Sequence, residues 1–475
     1  MRGTLAIALF LTVTAFALAS DQQEESCPLE IIQTPGQHTV RTPLPEGGNR
    51  IDVGGGVEAT CGTKWLRADS ASYFSERGVL YLIGNFRYTD EGRQLDADRA
   101  TYYEREGWVH CEGNVRLTDQ EGRSTLSGPA LDYYPASQVV PMDRMFAPDR
   151  PHLTFYADDP TGSEATPFDV DADRMHIYGD SLIATAGNVV AIRGTMTANS
   201  DSMDLDMGRD ALWLLGGPPV VNASNMVLEG DSILVQMEQR QVREIHAWPN
   251  GFAHGSDMQL SAPALRLFVE GNEVSRAVAS AGDPERTGAV DSAGRDPWAM
   301  SRSQHYALVA DSIDIRRPAG RIELVVAVDR ARATTLLPIT AGESLLGNDW
   351  LEGDTVTGYF TAADSGVLEG QEAQLSRLVA AGVTAGDARA LYHLRDEGGE
   401  GDVTGHPAAN YVIGRVITLF LQEGDVKEAQ VVGPSTGVYL EPLPPRPDTT
   451  IAIPDSLFDA VDDTGSVSPV EVTAG

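Results

Sequence analysis

Leu95-Asp-Ala-Asp-Arg-Ala-Thr-Tyr102 is the stretch on which the fold turns. Apolar side chains stand two apart at Leu95 and Ala97, and again at Ala100 and Tyr102, with Asp98-Arg99 between the pairs. Period two is the spacing of a strand with one buried face, so the segment reads as two half-strands joined at a bulge or corner by a one-residue slip. The small residue at the third position suits a tight bend where a neighbouring layer packs close. The pattern recurs roughly every 25 to 31 residues, the mark of a repeat architecture and of stacked strands.

Two other copies are equally clear: Leu66-Arg-Ala-Asp-Ser-Ala-Ser-Tyr73 and Leu126-Ser-Gly-Pro-Ala-Leu-Asp-Tyr133. Looser copies start at Val170, Met196, Val221, Leu260 and Leu308, and the weakest at Leu351 and Val412. Between copies runs a second alternating segment, best seen in Gly107-Trp-Val-His-Cys-Glu-Gly-Asn-Val-Arg-Leu117. There Gly113-Asn114 breaks the alternation, as Gly84-Asn85 and Gly187-Asn188 do elsewhere. Glycine and asparagine tolerate left-handed backbone angles, so each pair reads as a turn or bulge. Helical spacing shows only near 372–390, which is expected to decorate a loop.

Proline, aspartate and small residues mark linkers at 141–167 and 283–304. The expected organisation is a leader of irregular structure at 20–64, then repeats at 65–140, the first linker, further repeats at 168–255, and a divergent β part at 256–441 that carries the 283–304 loop. Residues 442–475 lack periodicity and read as a disordered acidic tail. Residues 1–19, with Arg2, an apolar run from Leu5 to Phe16 and Ala17-Leu-Ala19, read as a cleaved secretory signal peptide. Cys27 lies too far past that site to be a lipoprotein acceptor. In an oxidising compartment the three cysteines allow one disulfide, for which Cys27 and Cys61 are the candidates, leaving Cys111 free.

The formal charge of −34 includes only two lysines, Lys64 and Lys427. Such a surface argues against nucleic-acid binding and keeps an exported protein soluble. No long apolar span follows the leader, no phosphate loop or Gly-x-Ser-x-Gly elbow occurs, and the histidines, among them His110, His176 and His246, lack metal spacing. Neither a cofactor nor a metal is expected.

The runs 95–103, Glu112-Gly-Asn-Val-Arg-Leu-Thr118 and 126–133 together resemble the organic-solvent-tolerance (OstA-like) domain of lipopolysaccharide-transport proteins. Asp171-Ala-Asp-Arg-Met175 with Ala186-Gly-Asn-Val189 resembles a second copy. The match is good over 66–134, fair over 168–251 and faint over 257–440. The resemblance implies an all-β fold of tandem OstA-like β-jellyrolls, stacked antiparallel strands forming an open folded sheet whose interior holds acyl chains. It also implies a periplasmic protein, associated with outer-membrane assembly, whose partners are lipopolysaccharide or a related envelope lipid. Other transport proteins would join it through open edge strands. The chain lacks the amphipathic, aromatic-flanked strands of an outer-membrane barrel, so it resembles the soluble bridge, with several domains in place of one.

A lipid conduit needs an apolar interior, and each buried acyl methylene contributes about 0.8 kcal/mol. The inward repeat positions Tyr73, Leu95, Tyr102, Leu126, Tyr133, Ile177 and Leu228 are the candidate groove residues, with plain core packing as the alternative. Asp96 with Asp98, and Asp171 with Asp173, share strand faces as acid and base groups do, yet they recur with the scaffold and read first as solvated faces or turn caps. The expected function is therefore non-enzymatic lipid binding in lipopolysaccharide transport. An envelope scaffold filled by its own side chains, and less favourably a carbohydrate-active β-helix enzyme, remain alternatives.

Overall fold

A computed structural model describes residues 30–440, apart from the segments 157–165, 282–297, 337–346, 362–373 and 395–407 and some shorter connections. The described chain is all-β, one antiparallel sheet built from strands in sequence order, and its only helical turn is the 3-10 turn Pro318–Gly320.

The strand Arg93–Tyr103 shows why these residues bend. Leu95, Ala97, Ala100 and Tyr102 all point to one side, and the three-residue step between Ala97 and Ala100 carries that inner face across the corner at Asp98. In the preceding strand, Val79–Thr89, Leu82 and Phe86 are buried on either side of Gly84-Asn85. Ile83 pairs with Arg99 and Phe86 with Ala97, so two residues oppose one, which is a β-bulge. Both residues of the bulge are left-handed, with φ of 80° at Gly84 and 48° at Asn85. The same paired twist recurs at Gly113-Asn114 and Gly187-Asn188. It also recurs where no Gly-Asn stands, at Gly55-Gly56, Asp149-Arg150, Gly216-Gly217 and Asp329-Arg330.

The bends divide the sheet into two walls. Within Ser124–Tyr134, residues 124–127 pair with His152–Tyr156 while 132–134 pair with Arg144–Ala147. Within Met196–Asp206, residues 197–199 pair with Val220–Ala223 and 202–206 with Ala211–Leu215. Each half-strand thus joins its own stack, and one apolar cluster from Val53 to Val426 fills the space between them. The walls meet at the bends along one side. The other side, toward the hairpin ends of the strands, is the mouth, and among the described residues no backbone hydrogen bond of the turns crosses it.

Several expectations need amendment. The leader expected to be irregular carries His38–Pro43 and Asn49–Cys61, the latter already bent at Gly55-Gly56. The first linker carries Arg144–Ala147 and His152–Tyr156, whose pairings run on both sides without a break. The segment near 372–390 is not helical where described: it contains Gln374–Ala381 and the start of Ala388–Leu394. Its helix-like spacing of Leu375 and Leu378 comes from a bulge, since Tyr359 pairs with Arg377 but Phe360 pairs with Leu375, leaving Ser376 as the extra residue. The copy read from Met196 lies two residues further on, with Ser200, Met203 and Leu205 inward around Asp201. The copy at Val221 is a hairpin, in which Val221 pairs with Leu228, because the same apolar-polar pattern fits two short strands and a two-residue turn. Residues 1–19, Cys27 and 442–475, and with them the leader peptide, the disulfide and the tail, lie outside the described residues.

Candidate functional site

The candidate groove residues all lie on the inner faces. Leu95 (0% exposed), Leu126 (4%) and Leu228 (1%) belong to one wall, and Tyr133 (1%) to the other. Tyr73, Tyr102 and Ile177 stand in the same cross-strand row as Tyr133 on that second wall, partly buried against the same core. The seven residues therefore form one continuous apolar interior rather than separate patches. At these exposures Leu95, Leu126, Tyr133 and Leu228 are covered by neighbouring side chains, and a guest would have to displace them.

The paired aspartates lie outside this interior. Asp98 Oδ2 accepts a hydrogen bond from Asn114 Nδ2 at 2.9 Å, and Asp173 Oδ2 one from Asn188 Nδ2 at 2.8 Å. Asp69 with Asn85 and Asp231 with Asn250 repeat the arrangement at 2.8 Å. These side chains cap left-handed corners. Asp96 accepts from Arg87 Nε at 2.6 Å, and Asp171 lies 3.2 Å from His152 Nδ1, both as cross-strand pairs on an outer face. Among the described residues no three His, Cys, Asp or Glu side chains converge as a metal site.

Two features of the mouth had not been singled out from the sequence. The first is a polar clasp between the walls. Asp90 Oδ2 accepts hydrogen bonds from the Tyr88 hydroxyl at 3.1 Å and the Tyr133 hydroxyl at 3.2 Å. Its other oxygen accepts from the backbone N–H groups of Gly92 at 2.9 Å and Arg93 at 2.8 Å. Arg93 then crosses the mouth to pair with Asp143, and the Tyr88 and Tyr133 rings meet edge to face at 5.7 Å. Burial raises the Tyr88 phenol far above its ordinary range, with Tyr133 and the Asp90 charge adding to it. The Tyr133 phenol is raised likewise by burial and by Asp90 and Asp143. Further along, burial raises Tyr306 to about 12, helped by Asp425 and Asp349.

The second feature is a cavity of about 50 Å³ between the walls, lined by Phe168, Met196, Leu212, Val242 and Ile245, with Arg193 at its rim. The Arg193 guanidinium lies 4.4 Å from the Phe168 ring centroid, and burial lowers its pKa. An engineered apolar cavity that holds benzene is about 150 Å³, so this space takes only the end of an alkyl chain unless its walls move. Strand parity could have revealed the clasp, because alternation from Phe86 through Tyr88 puts the charge of Asp90 on the inner face. Asp143 stood in a stretch read as linker, and the cavity depends on which levels of the two walls face each other, which no local pattern records. No protein-family model matches this chain, and no curated protein matches it.

Proposed function

We propose that the chain is a non-enzymatic lipid-binding protein of the periplasm that serves lipopolysaccharide transport or outer-membrane assembly, its two-walled sheet being a run of OstA-like β-jellyrolls. The observation that carries the reading is the continuous apolar interior formed by the same positions of successive repeats and enclosed between the two walls. An acyl chain needs that environment, and each methylene moved into it contributes about 0.8 kcal/mol. The negative surface is compatible with this, because apolar burial supplies the affinity and long-range attraction is not required. Exposed edge strands such as Thr436–Leu440 would offer backbone groups to further sheets of the same kind.

One observation favours a second reading, an envelope scaffold. The cavity is small and the clasp holds one level of the mouth shut, so the interior at that level is filled by the protein itself. Native mass spectrometry of the mature protein from its own envelope, followed by titration with lipopolysaccharide and a phospholipid, separates the two. Co-purified lipid or saturable uptake of lipopolysaccharide is expected. A protein that carries no lipid and takes none up is the scaffold.

A further inference from the structure

The mouth differs from level to level. Where residues 86–95 face 131–145, it is crossed by the Arg93–Asp143 pair and by the two tyrosine hydroxyls on Asp90. At a second level the cavity is lined by Arg193 and Met196 from one wall and by Val242 and Ile245 from the other. We propose that an anionic lipid threads one acyl chain into the sheet at this second level, its headgroup on Arg193, and that the clasp denies the chain admission at the first. The proposal rests on the reading that the interior takes lipid.

Three observations carry it. The cavity lies between the walls, so a chain entering there reaches the continuous core rather than a surface dimple. Met196, Met207 and Met237 are only partly buried against that core, and unbranched thioether side chains swing aside more readily than branched ones, which is how a small cavity can lengthen around a guest. Arg193 supplies charge complementarity at an apolar rim, where a partly desolvated guanidinium holds a carboxylate or phosphate more strongly than an exposed cation does. At the first level the chain would have to uncover Asp90, which four hydrogen bonds hold in place. Each methylene seated beyond the rim raises affinity about fourfold.

The test uses the mature full-length chain and palmitate bearing a diazirine near its methyl end, photolysed and mapped by peptide mass spectrometry, with the corresponding long-chain alcohol as a neutral probe. Label is expected in 189–198 and 233–245. Val242→Trp, which fills the cavity, should lower palmitate uptake at least tenfold. Arg193→Gln should weaken palmitate about tenfold and leave the alcohol within twofold. Label concentrated in 86–95 or 126–134, or spread evenly, overturns the site while leaving lipid binding intact. So does unchanged uptake by a folded Val242→Trp protein. If that variant fails to fold, the label map of the unaltered chain decides. Failure of every amphiphile to bind overturns the lipid reading and this site with it.

Discussion

Gly113→Ala measures what the corners are worth. Gly113 has φ of +76°, and a Cβ built there would lie 2.4 Å from Asp98 Oδ2 and 2.9 Å from Asp98 Cβ. Forcing alanine into a left-handed conformation costs about 1–2 kcal/mol. The carboxylate must also move, and it then loses its hydrogen bond from Asn114, worth about 0.5–1 kcal/mol at this exposed corner. The expected loss is therefore about 1.5–3 kcal/mol. In an Asp98→Ala background the carboxylate part vanishes and the backbone part stays, so the two substitutions should couple by about 1 kcal/mol. Gly113→Asn, which tolerates the backbone angle but still carries a Cβ, should fall between glycine and alanine. Urea unfolding followed by tryptophan fluorescence gives the stability, and hydrogen exchange over residues 93–134 shows whether the loss is local. A penalty below about 1 kcal/mol, or one of equal size in both backgrounds, would refute the corner-cap account.

Leu95→Ala should cost about 2–5 kcal/mol and Tyr81→Ala, on the outer face and 42% exposed, under about 1 kcal/mol, as read by the same urea titrations. Folding raises the phenols of Tyr73 (to about 12), Tyr306 (to about 12), Tyr88 and Tyr133. Their contribution to stability is complete below pH about 10, the unfolded value, and is lost as pH rises toward and beyond 12. Thermal melts from pH 8 to 12 should fall accordingly, and a Tyr88→Phe/Tyr133→Phe protein should fall less steeply. Cys111 is 0% exposed and its thiol is raised by burial, so in a Cys27→Ser/Cys61→Ser background it should resist thiol reagents until urea is added. Asp143→Ala should speed its labelling several-fold by loosening the clasp, and an unchanged rate would show that the clasp does not guard the interior.

The bent strand was legible at Leu95–Tyr102 because alternation and its one-residue slip are both local in sequence. The weakest copies, at Leu351 and Val412, prove to bend in the same way, at Gly353-Asp354 and Gly414-Arg415. Left-handed pairs at Asp149-Arg150 and Asp329-Arg330 were hidden because no glycine announces them, and aspartate tolerates such angles better than most residues do. At Leu375 a bulge imitated helical periodicity, and at Val221 a hairpin imitated a corner. For the interior, inward parity located the seven candidate residues but not their partners across the fold. The Arg93–Asp143 contact joins residues 50 apart in sequence, and the clasp and the cavity exist only once the walls are stacked.

The pairing pattern also bears on how such a chain assembles. A half-strand pairs with the next strand or with one two or three further along, as residues 124–127 do with His152–Tyr156, 132–134 with Arg144–Ala147 and Ala211–Leu215 with Ser232–Glu238. Among the described residues no pairing joins the first strands to the last. A chain emerging N-terminus first from a narrow channel could thus zip each new hairpin onto those already formed, without waiting for its distant end. Loop-closure entropy is then met in small instalments, and cooperativity reaches only from neighbour to neighbour. Local damage, such as a lost corner, should fray a few strands and leave the remainder standing.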